Sequence, residues 1–477
     1  MKAALARLSR RYIRTRLAQS TREELTRLSR RRVLQCFQRA ARQSTAYRRL
    51  LAESDVGPRE IRTVDDFSAR CPILEKANTF GRFRLEEMIA RDVPIRDVAS
   101  ILTSSGHGGS GYALGLGTRA QAMRSRWAVD VGLDLAFDID RRRTLLINCL
   151  PMGVTFQSNA VCVANVSVRE DMACAIVDQA GSLFDQIILC GDPLFLKRLC
   201  DYSEARGTDW GRFRLNAILG EETFPESFRD YLAATLRVSV DTPDGGLIAS
   251  SMGVGELGLN LFYETRETVA LRRACRRDPR VLARLLGRPD APSPLPTFFA
   301  YNPLHCFVEV VAPDSHASGD LVVTVLDRGA PVPLMRYRTG DCAQFVDPAR
   351  IAGVLESGEF YSKSSVLPVI ALHGRRKDHL PSGWHVDQFK DALYGRREIA
   401  RQLTGAFRLS RQQEALQWDV QLARGSSADP AAMAAALRGT LACPADRTCP
   451  AIVGHPYDQF PHGRTLDYER KFVYWQE

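Results

Sequence analysis

The chain has 477 residues, of which 45% are hydrophobic and 25% charged, and its formal net charge at pH 7 is +10. This length exceeds one ordinary hydrophobic core, so we expect two or more domains, and the composition is typical of a soluble globular protein. The longest uncharged run, Thr144–Val168, contains Asn148, Pro151 and Asn159. These residues argue against a lipid-spanning helix and favour two buried strands joined by a turn.

The basic charge is concentrated at the N-terminus. Residues 1–50 hold 15 Lys and Arg residues against two Glu residues, a net charge of +13, so the rest of the chain is net −3. Apolar residues recur there at helical spacing. Such helices can contact an acidic carrier protein, anionic lipid or nucleic acid. A helix packed on the body by its apolar stripe explains the same pattern, whereas an organelle-targeting peptide fits less well because the helices run on into the body.

The twelve cysteines are scattered, and no two of them have CxxC spacing. Neither an apolar core nor a small-residue cleavage site follows Met1. We therefore predict reduced thiols in a cytoplasmic protein. A zinc site formed by Cys275, His305 and Cys306 is an alternative, but the usual spacing of zinc ligands is missing, which favours ordinary buried or surface thiols.

The first hundred residues are predicted to be mostly helical, and an alternation of strands and helices follows from Ile101. This alternation predicts an α/β core with a largely parallel sheet. The predicted strands are Thr144–Leu150, Gln186–Cys190 and Leu215–Leu219, and the predicted helices are Pro193–Ala205 and Pro225–Leu236.

Residues 264–290 form a basic helical insert, which could be a docking face or simply a solvated helix. After it, Phe298–Ala312 and Leu321–Leu326 alternate like antiparallel strands. A domain boundary is predicted near Gly374–Asp378, dividing the chain into a large domain of residues 1–376 and a small domain of residues 377–477. The small domain is predicted to contain the helices Val386–Leu393 and Asp429–Leu441 and the strand Ala415–Leu422.

Four segments carry residue types suited to a nucleotide. Residues 103–111, TSSGHGGSG, offer backbone N–H and hydroxyl donors of the kind that bind phosphate, although a Gly/Ser-rich surface loop has the same composition. The second segment, Gly220-Glu221-Glu222, is a polar turn at the end of a strand, where α/β proteins bind ligands. Its acids could instead serve the helix that begins at Pro225.

The third segment, residues 253–256, is a Gly-rich turn that ends in Glu256, a candidate ligand for Mg²⁺ or an ordinary surface glutamate. The fourth is RYRTGD, residues 336–341, which follows the apolar strand Leu321–Leu326 after a turn. A carboxylate just after a Thr-Gly turn, here Asp341, can accept two hydrogen bonds from the hydroxyls of a ribose.

The order of these segments resembles the adenylate-forming superfamily, and within it the branch that contains phenylacetate–CoA ligase and its capsule-biosynthesis relatives. The resemblance runs from about residue 35 to the C-terminus, and RYRTGD is its most specific match. It implies an α/β fold with a large N-terminal domain of several subdomains and a small mobile α+β C-terminal domain.

The resemblance implies roles for individual residues. The phosphate loop would use Thr103, Ser104, Ser105, Gly106, Gly109 and Ser110. In this loop His107, Gly108 and Ser110 stand where the family usually has two threonines and a lysine. The adenine would lie beside Gly220 and Glu221, and the ribose would bind Asp341.

Of Arg336 and Arg338, one would support the turn and the other would face the α-phosphate, while Arg375 would help to hold the nucleotide. Glu256 matches the family's magnesium ligand, although Met252 and Gly255 replace the tyrosine and threonine of that motif.

Two of the seven lysines match functional positions of the family. Lys377 falls at the hinge between the domains, where a polar residue must allow the backbone to rotate. Lys471 corresponds to a lysine that contacts the carboxylate and the α-phosphate during adenylation. Its local sequence departs from the family's Ser-Gly-Lys, so a surface lysine is the alternative.

The resemblance implies ATP- and Mg²⁺-dependent activation of a small carboxylic acid to an acyl-adenylate, followed by transfer to coenzyme A. One alternative is transfer of the acyl group to a carrier-protein thiol or to an amine. Another is that the protein is a degenerate nucleotide-binding scaffold. Tyr112, Met152 and Phe156 favour an aromatic or apolar acid. The sequence has neither a nucleophile elbow nor a Walker motif, and it gives little support for nucleic-acid binding.

Overall fold

The computed structural model describes residues 2–103, 112–151, 154–242, 244–357, 365–412, 415–444, 447–462, 468 and 471–476. The α-helices in these parts are α1 (Lys2–Gln19), α2 (Arg22–Gln43), α3 (Thr45–Glu53), α4 (Val64–Arg70), α5 (Leu85–Met88), α6 (Arg119–Phe137), α7 (Glu170–Ala180), α8 (Pro193–Arg206), α9 (Glu226–Leu236), α10 (Arg266–Arg277), α11 (Pro279–Leu286), α12 (Pro348–Ser357), α13 (Val386–Tyr394), α14 (Arg397–Ala400) and α15 (Pro430–Arg438).

The strands are β1 (Val98–Thr103), β2 (Leu114–Thr118), β3 (Thr144–Asn148), β4 (Cys162–Asn165), β5 (Gln186–Gly191), β6 (Leu215–Leu219), β7 (Ile248–Val254), β8 (Gly258–Tyr263), β9 (Thr297–Tyr301), β10 (Cys306–Val311), β11 (Gly319–Val325), β12 (Tyr337–Phe345), β13 (Val369–Arg375), β14 (Leu403–Gln412), β15 (Ala415–Leu422), β16 (Ala451–His455) and β17 (Trp475–Gln476).

One large mixed sheet runs through most of the chain, in the order β10-β11-β12-β13-β9-β8-β7-β6-β5-β3-β4. Its strands from β4 to β7 pair in parallel, and those from β7 to β10 pair antiparallel. Every residue of β3 and β5 is buried, as expected for parallel strands covered on both faces. The predicted α/β fold is therefore confirmed, but the parallel pairing that we predicted holds for only one half of the sheet.

A second, four-stranded sheet of order β16-β15-β14-β17 forms a unit with α13, α14 and α15, which we call the small unit. Its core contains the buried rings of Trp384, Phe389, Phe407 and Trp418. The small unit packs on α9 through Tyr394, whose ring centroid lies 4.6 Å from that of Phe228. The small unit therefore has a hydrophobic core of its own.

A fully buried ion network fixes α9 and α10 against the large sheet. Arg229 is completely buried, and its Nη2 lies 2.8 Å from carboxylate oxygens of both Glu226 and Glu264. Arg272, on α10, lies 3.4 Å from Glu226. Glu264 also accepts a hydrogen bond from the Ser250 N–H of β7 at 2.7 Å. Buried charges are tolerated only when they are paired, so each member of the network requires the others.

The basic N-terminal helices are bound to the body by its acids. Arg10 of α1 donates from Nε to Asp140 at 3.1 Å, and Arg14 lies 2.9 Å from Asp138 at the end of α6. The basic insert behaves similarly, because Arg273 of α10 lies 2.6 Å from Asp241. These contacts favour the packing interpretation of the N-terminal helices, and they show that Arg273 of the insert is paired with an acid.

The cysteines depart from the sequence prediction in one place. Cys443 and Cys449 form a disulfide, so the prediction of reduced thiols is wrong for this pair. Cys275 and Cys306 belong to different hydrophobic clusters, and the described residues contain no group of three or more His, Cys, Asp or Glu side chains able to hold a metal. Nothing in these parts of the chain therefore supports the zinc alternative.

Among the described helices, none has the length and apolar character that a bilayer crossing requires.

We expect Arg229→Ala to lower the free energy of unfolding by about 3–5 kcal/mol, because Glu226 and Glu264 would keep their buried charges without the cation nearest to them. Urea unfolding followed by circular dichroism measures this change. Arg280→Ala is the control, since the Arg280 side chain is 92% exposed and should leave the midpoint unchanged. Equal shifts for the two variants would contradict the role of the network.

Candidate active site

The predicted acidic turn lies at the carboxyl edge of the parallel strands. The Gly220 N–H donates to the Gly191 carbonyl at 3.0 Å, which ties the end of β6 to the end of β5. Glu221 follows with φ of +69°, a left-handed conformation that is uncommon for a residue other than glycine. The turn therefore presents Glu221 and Glu222 beyond the sheet, where α/β folds bind their ligands.

Lys471 approaches this turn from the C-terminal end of the chain. Its Nζ donates to the Glu221 carbonyl at 3.0 Å and lies 3.1 Å from Glu221 Oε2. Two residues that the sequence separates by 250 positions are thus in direct contact. The Lys471 side chain is 27% exposed, so its ammonium group remains accessible to a ligand.

The adjacent Glu222 is also contacted by the small unit. It accepts hydrogen bonds from Lys390 Nζ at 2.7 Å and from Tyr474 Oη at 3.0 Å. The Lys390 ammonium group lies 4.5 Å from the centroid of the Tyr474 ring, within the range of a cation–π contact. Both acids of the turn are therefore held by cations of the small unit.

A third carboxyl group lies beside this turn. Asp192 caps α8 by accepting a hydrogen bond from the Phe195 N–H at 3.0 Å. Burial, together with the negative charge of Glu222 and Glu221, raises the pKa of Asp192 to about 7, although the Phe195 N–H opposes this shift. Acidic charge is thus concentrated at the ends of β5 and β6.

Asp341 lies on β12 opposite Arg375 of β13 and is buried. The Arg375 Nε is 3.5 Å from Asp341 Oδ1. Burial raises the pKa of Asp341, while the positive charges of Arg375 and Lys471 act in the opposite direction. The charge of Lys471, which contacts Glu221, therefore also acts on Asp341.

The two arginines that precede Asp341 in RYRTGD, Arg336 and Arg338, both form ion pairs with other acids. Arg336 is buried and its Nε lies 3.2 Å from Glu309. Arg338 lies 3.1 Å from Glu75 and 3.3 Å from Asp320. Both contacts support the strand, and neither guanidinium is distinguished as the phosphate ligand.

Glu256, the predicted metal ligand, occupies the turn between β7 and β8. The Tyr337 hydroxyl donates to its Oε1 at 2.5 Å. Burial and the Glu256 charge raise the pKa of Tyr337, so this hydroxyl keeps its proton and its role as donor. Because Tyr337 begins β12, the hydrogen bond connects Glu256 to the strand that carries Asp341.

A close backbone contact joins the β1–β2 hairpin to the Glu256 turn. Thr103 and Leu114 are the pair of this hairpin nearest to the connection between its strands. A Cβ atom on Gly115 would lie only 2.3 Å from the Gly255 carbonyl oxygen, so the hairpin touches the Glu256 turn. The predicted ligands Ser104, Ser105, Gly106, Gly109 and Ser110, with His107 and Gly108, lie outside the described residues.

Lys377 lies in a single 3₁₀ turn, Arg376–Asp378, that follows β13. Its side chain is exposed. Partial desolvation by the surrounding protein lowers the pKa of Lys377, and the positive charges of Arg375 and Lys471 lower it further. The charge of Lys471 therefore also acts on the predicted hinge lysine.

The structure adds residues that the sequence analysis did not single out: Asp192, Tyr337, Lys390 and Tyr474. The scarcity of lysine, seven against 58 arginines, is a signal that could have identified Lys390. Tyr337 stands inside RYRTGD, but no sequence pattern links it to Glu256.

Glu256 is chemically suited to Mg²⁺, because a carboxylate is a hard oxygen ligand. Tyr337 binds one of its two oxygens. The described part of the chain contains no group of three or more acidic, His or Cys side chains at Glu256, so phosphate oxygens and water would complete the coordination.

No protein-family model matches the sequence, and no curated protein matches it significantly. The fold, in contrast, is shared with solved ligases. The structure of 2-hydroxyisobutyryl-CoA ligase in the postadenylation state with R3-HIB-AMP has a TM-score of 0.63 at 14% identity, covering 94% of this chain and 88% of that chain.

The same ligase has also been solved in other states. With 2-HIB-AMP and CoA in the thioesterification state, its TM-score is 0.53 at 13% identity, covering 95% of this chain and 90% of that one. Its open conformation with the same ligands gives 0.54 at 12% identity, with 94% and 90% covered. This chain therefore shares its fold with 2-hydroxyisobutyryl-CoA ligase.

We expect Gly115→Ala to lower the free energy of unfolding by about 1–3 kcal/mol, because the added methyl group collides with the Gly255 carbonyl. Thermal unfolding measures the change. Gly132→Ala in α6 is the matched control: no atom lies within 4 Å of the added Cβ, so it should be neutral or stabilising. A destabilised Gly132→Ala protein together with an unaffected Gly115→Ala protein would refute the contact.

Asp192 generates a pH-dependent prediction. Its pKa of about 7 lies above the ordinary value of 3.8, so between these pH values the folded state retains a proton that the unfolded state has released. Stability therefore falls as pH rises, by at most about 1.4 kcal/mol per pH unit from this group. Asp192→Asn keeps the helix cap and removes the titration.

Relative to wild type, Asp192→Asn should therefore gain stability as pH rises from 5 to about 7 and level off by pH 8, in urea unfolding measured at each pH. A stability difference that stays constant over this range would show that Asp192 does not titrate there.

Proposed function

We propose that this protein activates a small carboxylic acid with ATP, forming an acyl-adenylate and pyrophosphate, and then transfers the acyl group to a thiol, that of coenzyme A. The observation that carries the proposal is the contact of Lys471 with Glu221, together with the effect of the Lys471 charge on the buried Asp341. A cation, a buried carboxylate suited to a ribose and an acidic turn at a sheet edge are the groups that a nucleotide requires.

In the first step, a carboxylate oxygen of the acid attacks the α-phosphorus of ATP, and the bond to the pyrophosphate oxygen breaks. Negative charge increases on the α-phosphate and on the leaving group. Lys471 would stabilise this charge, Asp341 would hold the ribose and Glu221 would border the adenine. Mg²⁺ on Glu256 would neutralise phosphate charge.

The postadenylation state of the related ligase, with its higher TM-score, supports assigning the present arrangement of the small unit to this first step. We propose residues 1–376 and 377–477 as the two domains, with Lys377 at the hinge. Rotation at Lys377 would withdraw Lys471 and bring the acceptor to the adenylate, where its thiolate attacks the acyl carbon and AMP leaves.

The sequence likeness to phenylacetate–CoA ligase supports an aromatic acid and coenzyme A. Phe156 is half-buried against the hydrophobic cluster of α6 and β3, and Tyr112 is exposed, whereas Met152 lies outside the described residues. A carrier-protein thiol or an amine are the other acceptors compatible with an acyl-adenylate.

Exchange of labelled pyrophosphate into ATP tests the first step. The protein with Mg²⁺ and ATP is screened against aromatic, aliphatic and hydroxy acids, and exchange with one of them supports an activating enzyme. ATP binding without exchange for any acid would identify a nucleotide-binding scaffold instead. Adding coenzyme A or amines to an active mixture then identifies the acceptor.

We expect Lys471→Ala to slow adenylation at least about 100-fold, because one electrostatic contact to the developing charge is lost. Its transfer rate from synthetic acyl-adenylate to coenzyme A should remain within about twofold of wild type, since Lys471 would leave the site before that step. Lys2→Ala, a lysine replacement at the other end of the chain, is the control. Equal losses in both half-reactions would rule out this role for Lys471.

A further inference from the structure

Glu222 connects two separate elements of the small unit to the acidic turn. Lys390 reaches it from α13, and Tyr474 reaches it from the C-terminal segment that also carries Lys471. Lys390 donates in addition to the Thr223 carbonyl at 3.3 Å, and it is buried. Its charge is therefore held between the turn and the small unit.

Tyr474 is fixed by its own surroundings. The Leu409 N–H of β14 donates to the Tyr474 carbonyl at 2.7 Å, and Trp475 pairs with Leu409 in the sheet. The Tyr474 ring lies 4.6 Å from that of Phe407. The segment that begins at Lys471 is thus anchored three residues later at a point that also touches Glu222.

Lys471 alone would be poorly positioned. A lysine side chain has many rotamers, and holding it in one geometry costs conformational entropy. Anchoring the residues around it reduces the freedom of the main chain from which it extends. Glu221 and Glu222 are adjacent in the turn. When Lys390 and Tyr474 bind Glu222, they therefore also fix the distance between Glu221 and the main chain of Lys471.

We infer that Lys390 and Tyr474 are positioning residues: by binding Glu222 they place the Lys471 ammonium group on Glu221 in the geometry used for acid activation. The catalytic meaning of this inference rests on the proposed function, whereas the placement of Lys471 does not. Loss of either contact should release Lys471 from the turn without unfolding the chain.

The placement is tested by the reactivity of the lysines. Reductive methylation for short times, read by peptide mass mapping, reports each amine separately, since the chain has only seven lysines. Lys471 should react more slowly than the exposed Lys377 in the wild-type protein. Lys197, which is completely buried, reports whether the fold is intact.

In Tyr474→Phe, which removes only the hydroxyl, and in Lys390→Met, labelling of Lys471 should rise at least about fivefold, the order expected for loss of a hydrogen bond to a charged group. Lys197 should stay protected. Tyr457→Phe is the matched control, because it removes the hydroxyl of a tyrosine whose ring lies 6.0 Å from Arg424, a contact that does not involve Glu222. Unchanged labelling of Lys471 in both variants, or an equal rise in the control, would overturn the inference.

The half-reactions then separate a positioning role from a general structural role. Tyr474→Phe should slow adenylate formation about 10-fold at saturating ATP, with an unchanged Kd for ATP and unchanged transfer from synthetic adenylate. Equal slowing of both steps would contradict positioning. If the wild-type protein exchanges no pyrophosphate with any acid, the proposed function fails, and the labelling experiment still decides the placement of Lys471.

Discussion

The contact between Lys471 and the Glu221 turn is the interaction on which the candidate site depends. It joins the last segment of the chain to the edge of the central sheet, across 250 residues of sequence. Without it, the cluster would contain acidic groups at the ends of β5 and β6 and, at some distance, the pair of Asp341 and Arg375. With it, an ammonium group stands beside the acidic turn and offsets part of its negative charge.

Two further contacts hold the rest of the candidate site together. The Tyr337 hydroxyl binds Glu256, which fixes the β7–β8 turn to the start of β12. The contact of Gly115 with the Gly255 carbonyl then holds the β1–β2 hairpin on that turn. Glycine is required there because the two backbones approach more closely than any side chain permits. Several distant segments therefore meet through short, specific contacts rather than through a single motif.

The pattern of hydrophobic residues predicted several helices and strands well, because an element that is buried in the fold carries a regular pattern of apolar residues in its sequence. The strands Leu215–Leu219 and Ala415–Leu422 have the predicted bounds, and the helix predicted at Pro193–Ala205 ends one residue later. In the antiparallel half, the predicted strands Phe298–Ala312 and Leu321–Leu326 correspond to β9, β10 and β11, and β10 pairs antiparallel with β11 as predicted. The hydrogen bond from Tyr337 to Glu256 and the cluster around Glu222 depend on side-chain geometry in three dimensions. The Cys443–Cys449 disulfide was missed because spacing alone does not specify pairing.

The buried network of Arg229, Glu226, Glu264 and Arg272 has an evolutionary consequence. Replacing one member leaves an isolated charge in the interior, whereas replacing the whole set with apolar residues of similar volume can be neutral or even stabilising. Single substitutions at these positions should therefore be rare in descendants of this chain. The four positions should instead change together, as a co-varying group that links α9 and α10 to the β7–β8 hairpin.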